Sequence, residues 1–248
     1  MFQFFVSPAQ INPEIGQAVI TGPDVNHICH VLRMHPGEQF YVNDGSASGK
    51  YLCSFREADK DNVVCSILEK VSESSELPCE ITLYQGLPKA DKMEWIIQKA
   101  VELGVTRIVP VAMKHCVVKL DDKKAESKIS RWQSIAEAAA KQSKRDRIPE
   151  VGQVMNLKAA LQEASGLEVS LMPYENAEGM AFTRKLISAI RPGQRVAIFI
   201  GPEGGLDDSE VALALENGTQ PITLGRRILR TETAGLAVLA MLLYELET

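Results

Sequence analysis

The sequence predicts an α/β fold made of two regions with different residue patterns. Residues 1–70 carry short apolar or alternating segments, which are separated by turn residues such as Pro36-Gly37 and Asp44-Gly45. After residue 79, segments with the period of a strand alternate with segments that have the period of a helix. A polar stretch at residues 70–79 separates these two regions. We therefore predict two domains, residues 1–72 and residues 73–248.

Five strands are predicted in the first region, and their spacing is typical of a small β-barrel. They cover Phe2–Val6, Gln17–Ile20, Gln39–Asn43, Lys50–Phe55 and Asn62–Val71. One helical turn is expected to begin at Asp24, because aspartate is a favourable N-cap and Val25, Ile28 and Leu32 follow it.

The second region is predicted to form a mainly parallel sheet covered by helices on both faces, because strands and helices alternate along it. The strands are expected at Ile81–Tyr84, Arg107–Ala112, Val169–Met172, Arg195–Ile200 and Pro221–Leu224. The helices are expected at Asp91–Leu103, Glu126–Ser143, Ala177–Ile190, Asp207–Asn217 and Thr231–Leu246. In the first helix, Asp91 and Glu94 have the spacing of a capping box, and Gly104 is expected to end the helix.

The composition indicates a globular protein of the cytoplasm. Of the 248 residues, 45% are hydrophobic and 24% charged, which excludes a disordered chain, a collagen and a disulfide scaffold. The five cysteines are odd in number and contain no C-x-x-C pair, so we expect reduced thiols and no zinc site. His27, His30 and His35 lie close together without further ligands nearby, and no metal site is predicted. The longest apolar run, from Leu236 to Tyr244, is too short to span a membrane.

The charge is distributed unevenly along the chain. The net charge of -5 by itself argues against binding to nucleic acid. Residues 114–147, however, hold ten Lys and Arg against five Asp and Glu, a local net charge of +5 that leaves -10 elsewhere. A helix C-terminus near Lys141 explains one or two of these cations. The whole stretch is typical of a surface that binds a polyanion.

Two loops after predicted strands are candidates for a binding site, because ligands of open α/β sheets lie beyond the carboxyl ends of the strands. The first loop, Ile200 to Gly205, has three glycines but matches neither the dinucleotide nor the P-loop pattern. The next helix opens with Asp207 and Asp208, which would repel a phosphate. This favours a neutral or cationic ligand, and a tight turn ahead of an acid-capped helix remains an equally weighted interpretation.

The second loop, Leu224 to Arg230, holds three arginines within five residues. Arginine suits bidentate recognition of phosphate or carboxylate. A solvated loop is the alternative, but Ile228 and Leu229 between the arginines favour a loop that packs against something.

Five motifs follow one another along the chain. They are His27 with Val31 to Arg33 and Pro36-Gly37; Leu87 to Lys89 with Lys92 to Gly104; Arg131-Trp132 with Ala136 to Ala138 and Gln142-Ser143; Ile200 to Gly205; and Leu224 to Ala234. In this order and spacing they resemble the bacterial 16S rRNA uracil-N3 methyltransferases of the RsmE family, a branch of the SPOUT or α/β-knot methyltransferases. One departure is Lys114 to Cys116, where an arginine is expected.

The resemblance implies an N-terminal PUA-like RNA-binding β-barrel and a C-terminal SPOUT trefoil-knot methyltransferase domain that binds S-adenosylmethionine. It also implies that the chain forms a homodimer. The expected partner is the 16S rRNA of the small ribosomal subunit, in its decoding region. The apolar last helix fits a dimer. Mapped onto this chain, the cofactor-binding residues are Leu171, Met172, Pro173, Ile200, Gly201, Pro202, Glu203, Gly204, Gly205, Leu224, Gly225, Ile228 and Leu229.

The expected reaction is transfer of a methyl group to N3 of uridine, which carries a proton in the neutral base. Arg227 and Arg230 are candidates for holding a phosphate or a uracil oxygen, and Glu203 is a candidate base that could equally cap backbone amides. The candidate RNA-binding residues are Arg33, Lys114, Arg131, Lys141, Lys144, Arg145 and Arg147.

Three other functions are compatible with parts of the sequence. The first is a non-enzymatic ribosome-assembly factor with a degenerate knot, against which the glycines of the first loop argue. The second is another SPOUT reaction, such as ribose 2′-O or guanine N1 methylation. The third is an oxidoreductase with a dinucleotide fold, which the missing phosphate loop disfavours.

Overall fold

The computed structural model of the protein describes residues 1–46 and 48–247. It separates into two compact units, residues 1–76 with 140–148, and residues 77–139 with 149–248. In the described part of the chain, no helix is both long and apolar enough to cross a membrane. The predicted split at residues 72 and 73 did not anticipate that residues 140–148 cluster with the N-terminal unit.

The first unit is built on a six-stranded sheet. Its strands are β1 (Gln3–Phe5), β2 (Ile11–Asn12), β3 (Gln17–Thr21), β4 (Gln39–Asn43), β5 (Lys50–Ala58) and β6 (Asn62–Lys70). Their order in the sheet is β1-β4-β5-β6-β3-β2, with β1 parallel to β4 and the other pairs antiparallel. Buried residues of alternate strand positions, such as Ile20, Phe40 and Val63, form its core.

The predicted helical turn is present as a short helix, α1 (Pro23–Asn26), which continues as a π-helical turn at His27–Val31. Its N-cap is Gly22, so the prediction of Asp24 as the N-cap was wrong. Val25 and Ile28 of this segment are buried in the core of the first unit. Arg33 follows with a φ of +52°, a left-handed conformation that is uncommon for a residue with a side chain.

Residues 145 and 146 are held in the first unit by buried charges. The guanidinium of Arg145 forms an ion pair with Glu76, and the two side chains are 4% and 11% exposed. The Asp146 carboxylate accepts a hydrogen bond of 2.8 Å from the Lys50 ammonium and another of 2.8 Å from the Ser75 amide. These bonds explain why residues 140–148 belong to this unit.

The second unit contains a seven-stranded parallel sheet. Its strands are β7 (Glu80–Gly86), β8 (Arg107–Ala112), β9 (Glu150–Val151), β10 (Met155–Asn156), β11 (Val169–Pro173), β12 (Arg195–Ile200) and β13 (Gln220–Ile222). Their order is β10-β8-β7-β12-β11-β13, with β9 also paired to β8. The sequence order reverses between β7 and β12, and a ligand of an open α/β sheet binds at such a reversal.

Six helices accompany this sheet. They are α2 (Lys92–Glu102), α3 (Asp122–Gln142), α4 (Leu157–Ala164), α5 (Met180–Ile187), α6 (Asp208–Glu216) and α7 (Thr231–Leu246). As predicted, α2 ends ahead of Gly104, which has a φ of +91°. A Cβ at that position would lie 2.5 Å from Leu77 Cδ1, so glycine is needed for the contact as well as for the turn.

The sequence did not predict α4, β9 and β10. The signal for α4 was present, because Asn156 caps it by accepting a hydrogen bond from the Ala159 amide and Leu157 and Leu161 lie on its buried face. The capping box predicted at Asp91 and Glu94 was wrong. The Asp91 side chain makes no capping hydrogen bond, and Glu94 instead accepts a 2.8 Å bond from Arg131.

We expect Arg145→Met to lower the free energy of unfolding by about 3–5 kcal/mol, because the Glu76 carboxylate would stay buried without its partner. Urea unfolding followed by circular dichroism measures this loss. The control Arg56→Met removes an ion pair with Glu57 whose side chains are 55% and 63% exposed. It should cost less than about 1 kcal/mol. Equal losses for the two variants would contradict a stabilising role for the buried pair.

Candidate functional site

A cavity of about 730 Å³ lies at the carboxyl ends of β11, β12 and β13 in the second unit. Its volume is within the ordinary range for a site that binds a small molecule or cofactor. The wall consists of loops after three strands and the first turn of α7. It includes Lys92, Pro173, Tyr174, Glu175, residues 200–206, residues 223–231 and Ala234.

The glycine loop, which we define as Gly201–Gly205, follows β12 and forms one wall of the cavity. Gly205 has a φ of +73°. A Cβ at Gly204 would lie 2.8 Å from the Cβ of His115, and one at Gly86 would lie 2.8 Å from the Pro202 nitrogen. Close packing therefore requires glycine at Gly204 and Gly86. Because the glycines of the loop carry no side chains, backbone groups form much of this cavity wall.

The arginine loop, which we define as Leu224–Arg230, forms another wall. Its second residue, Gly225, has a φ of +105°. Arg226, Arg227 and Arg230 are exposed, and Ile228 is 87% exposed. This differs from the prediction that Ile228 packs against protein, because its side chain contacts mostly solvent in this chain.

Thr231 connects the two loops. Its hydroxyl donates a 2.7 Å hydrogen bond to the Gly201 carbonyl and accepts a 2.9 Å bond from the Gln85 amide nitrogen. Gln85 is fully buried at the end of the central strand β7. The first turn of α7 is thereby fixed to the glycine loop from inside the unit.

Glu203 is held in place by two donors. Its Oε1 accepts a 3.0 Å hydrogen bond from the Lys89 amide and lies 3.0 Å from the Lys92 ammonium. Partial burial raises the pKa of Glu203, but the Lys89 amide and the Lys92 ammonium outweigh it, so that the net pKa is below the usual value. A carboxylate with a lowered pKa is a weak proton acceptor, so the bonding of Glu203 favours the capping role over that of a base.

The acidic start of α6 has its own partners. Asp207 accepts a hydrogen bond from the Ser209 amide and forms a capping box with Glu210. The Lys114 ammonium lies 2.8 Å from Asp207 Oδ1. Lys114 and the Ser209 hydroxyl hold the pKa of Asp207 below its usual range. The acid-capped helix considered for this segment is therefore present, and it lies directly after a loop that lines the cavity.

Most of the predicted cofactor residues lie on the cavity wall. Those on the wall are Pro173, Ile200, Gly201, Pro202, Glu203, Gly204, Gly205, Leu224, Gly225, Ile228 and Leu229. Leu171 and Met172 are absent from the wall, since they are buried inside β11 at 0% and 1% exposure. Sequence reasoning did not select Lys92, Tyr174, Glu175 and Thr223, although Tyr174 and Glu175 directly follow a strand that points to the site.

The predicted catalytic residues Arg227, Arg230 and Glu203 all line this cavity. They come from two loops that are separated in sequence, and the strand order brings them to one edge of the sheet.

The predicted RNA-binding residues have different environments. In the first unit, Arg33 and Lys144 are exposed and both have left-handed backbones, with φ of +52° and +59°. Lys141 forms an ion pair of 2.9 Å with Asp24, and Arg147 is half-buried. Arg145 is 3% exposed, so its guanidinium is not available to an RNA backbone, and this part of the prediction was wrong.

In the second unit, Lys114 and Arg131 are exposed but already paired with carboxylates. Lys114 pairs with Asp207 and Arg131 with Glu94, each at 2.8 Å. Pairing of exposed side chains is weak and can exchange for a phosphate. Both residues remain predictions as RNA contacts.

Comparison with known proteins places these features in one family. A family model described as RNA methyltransferase domain matches residues 75–243, and one described as RNA methyltransferase PUA domain matches residues 20–68. The ribosomal RNA small subunit methyltransferase E of Bacillus subtilis (strain 168) is 40% identical over 234 residues, which are 92% of this chain and 90% of that protein. The protein of the same name from Synechocystis sp. is 32% identical over 97% of this chain and 77% of its own length.

Solved structures agree with this assignment. The ribosomal RNA small subunit methyltransferase E from Neisseria gonorrhoeae bound to S-adenosyl methionine superimposes with a TM-score of 0.83 and 33% identity, covering 97% of this chain and 95% of that one. A putative methyltransferase from Legionella pneumophila in complex with the bound cofactor SAM has a TM-score of 0.81 and 31% identity, covering 97% and 96%. Since both family models and full-length relatives match, this chain belongs to the ribosomal RNA small subunit methyltransferase E family.

Proposed function

We propose that this chain transfers a methyl group from S-adenosylmethionine to N3 of a uridine in the decoding region of 16S rRNA. The observation that carries the proposal is the cavity where the glycine loop and the arginine loop meet, in a chain 33% identical to a methyltransferase bound to S-adenosyl methionine. Such an enzyme works where ribosomes are assembled, in the cytoplasm.

The residues of the cavity fit this cofactor. Glycine positions leave backbone N–H and C=O groups on the wall, and these can bind the neutral adenine and ribose by hydrogen bonds. The exposed carboxylate of Glu175 on the wall suits a cationic sulfonium group. When bound, S-adenosylmethionine supplies an activated methyl group, so much of the catalysis rests on positioning the base.

The arginine loop has the chemistry to act on the uracil. N3 of neutral uridine carries a proton with a pKa of roughly 9–10, near that of a tyrosine. An arginine beside a uracil oxygen stabilises the N3 anion and lowers that pKa without itself exchanging a proton, so that the N3 proton passes to water before the methyl group is transferred. Arg227 and Arg230 are exposed on the cavity wall, and we assign them this role or the binding of an adjacent phosphate.

We assign Glu203 a structural role in the glycine loop. Its carboxylate already accepts the Lys89 amide and the Lys92 ammonium, and its pKa is lowered. It therefore holds the glycine loop in place and does not remove the N3 proton.

We further infer that the first unit is a PUA-like β-barrel that binds RNA and that the second unit is a trefoil-knot domain of the SPOUT type. The six-stranded sheet of the first unit and the match of residues 20–68 to a PUA model support the former. The position of β12 between β7 and β11, with both cavity loops at one edge, supports the latter. In the first unit, Arg33 and Lys144 are the exposed candidates for RNA contacts.

We also infer that the chain acts as a homodimer. One face of α7 is buried within the chain, at Gly235, Val238, Leu239 and Leu242. Other apolar residues of the same helix remain partly accessible, and Tyr244 is 75% exposed. A second copy covering this face would remove that apolar surface from water.

Replacing Arg227 or Arg230 with methionine is expected to lower kcat about 10²–10³-fold on small ribosomal subunits, because a cation that stabilises the developing anion is lost. The pH–rate profile should shift to higher pH in these variants, since N3 would regain its ordinary pKa. Mass spectrometry of the rRNA for N3-methyluridine measures the product.

The matched control is Arg195→Met. Arg195 pairs with Glu168 at the opposite end of β12 from the cavity, so this variant should retain wild-type activity. Wild-type protein that binds S-adenosylmethionine but methylates no uridine would contradict the proposed reaction and favour an assembly factor or another target.

Glu203→Gln is expected to keep kcat within about tenfold of wild type, because the residue is not the base. Its stabilising bonds exist in the ionised form, and its pKa is lowered. They are therefore complete above the ordinary glutamate pKa of about 4.3 and are lost only as the pH falls below it. Single-turnover methylation at pH 6 to 9 tests this, and a loss of more than about 10³-fold at every pH would restore Glu203 as the base.

A further inference from the structure

Lys92 begins helix α2, yet its ammonium lies on the cavity wall between two other segments of the chain. Its Nζ is 3.0 Å from Glu203 Oε1 in the glycine loop and 3.2 Å from Glu232 Oε2 in the first turn of α7. The three side chains are 31%, 22% and 18% exposed. One cation therefore joins three segments that are far apart in sequence.

The two carboxylates depend on this cation. In the described residues, Glu232 Oε2 is buried and accepts no hydrogen bond, so the nearby Lys92 charge compensates it. Hydrogen bonding to Glu203 is the main cause that raises the pKa of Lys92, with a further contribution from Glu232, so the ammonium stays charged. Without Lys92, two negative charges would face each other across the loops, and like charges at short distance repel.

Ordering the glycine loop costs conformational entropy. The glycine loop contains three glycines, and glycine loses more conformational freedom on ordering than any other residue. A loop that is already ordered before a ligand arrives binds it more tightly. Thr231 supplies a neutral link to Gly201, and Lys92 supplies a charged link from a different helix.

We propose that Lys92 is a positioning residue for cofactor binding, which holds the glycine loop and the first turn of α7 together through Glu203 and Glu232. The inference rests on the proposed function, since the ligand of the cavity is taken to be S-adenosylmethionine. Lys92 acts through the two carboxylates and does not contact the reacting atoms. Its loss therefore weakens the binding of the cofactor and leaves the rate of the bound complex largely intact.

The test is isothermal titration of the full-length protein with S-adenosylmethionine. Lys92→Met should raise Kd at least tenfold, while kcat at saturating cofactor stays within about threefold of wild type. Lys92→Arg keeps the charge and should restore binding to within about threefold. The control Lys99→Met removes a half-buried pair with Glu102 in the same helix, away from the cavity wall, and should leave Kd unchanged.

A double variant separates positioning from direct contact with the ligand. In the double variant Glu203→Gln/Glu232→Gln the charged link is already absent, so adding Lys92→Met should change Kd by less than about threefold. If Lys92→Met still raises Kd tenfold or more in that background, Lys92 contacts the ligand directly and the proposal is overturned. A wild-type Kd for Lys92→Met also overturns it.

Two further measurements keep the result interpretable. Thermal unfolding without ligand identifies a variant that does not fold, in which case Lys92→Gln, alone and in the Glu203→Gln/Glu232→Gln background, gives the same comparison. Methylation by the wild-type protein is measured in parallel. An inactive wild type that still binds the cofactor refutes the proposed reaction alone, whereas an active wild type with no effect at Lys92 refutes this inference alone.

Discussion

The parallel pairing of β12 between β7 and β11 places the ends of three strands side by side, and the candidate site depends on this arrangement. Parallel strands deliver their carboxyl ends to one edge of the sheet, so loops that are distant in sequence converge there. Thr231, which follows the arginine loop, joins it to the glycine loop at that edge by a hydrogen bond to Gly201. The Thr231 hydroxyl in turn accepts a hydrogen bond from Gln85 of the central strand. A change that shifted β12 against β7 would separate the glycine loop from the arginine loop.

Charge organises both units, but with different consequences. In the first unit, the Arg145–Glu76 and Lys50–Asp146 pairs are buried and tie residues 145 and 146 to the sheet. In the second unit, the pairs of Lys92 with Glu203 and Glu232 at the cavity are partly accessible and link the glycine loop to the first turn of α7. Buried pairs are costly to break because the remaining charge is desolvated, whereas partly exposed pairs can rearrange around a ligand. Ion pairs of the same residue types thus stabilise the fold of the first unit and hold loops in place in the second.

Several features of the fold were predictable from local pattern. The strands Gln39–Asn43, Arg107–Ala112 and Arg195–Ile200 and the helix Thr231–Leu246 have the predicted bounds, because apolar runs and turn residues marked them. The short helix α4 was not predicted. It lies in a region whose other elements, β9 and β10, have only two residues each. The Asp91–Glu94 capping box failed for another reason, since Arg131 from a different helix takes the Glu94 carboxylate.

The sequence by itself determined the family, most of the strands and helices in the second region and the two loops that line the cavity. These follow from local periodicity, glycine positions and motifs that are short in sequence. Only the tertiary structure decided which charges are available. The basic segment 114–147 supplied six of the seven candidate RNA-binding residues, and its pattern did not distinguish among them. In the structure Arg145 is buried against Glu76, while Lys144 remains exposed. The tertiary structure also brought Lys92 to Glu203 and Glu232, because ion pairing across a fold depends on distances that residue spacing along the chain does not specify.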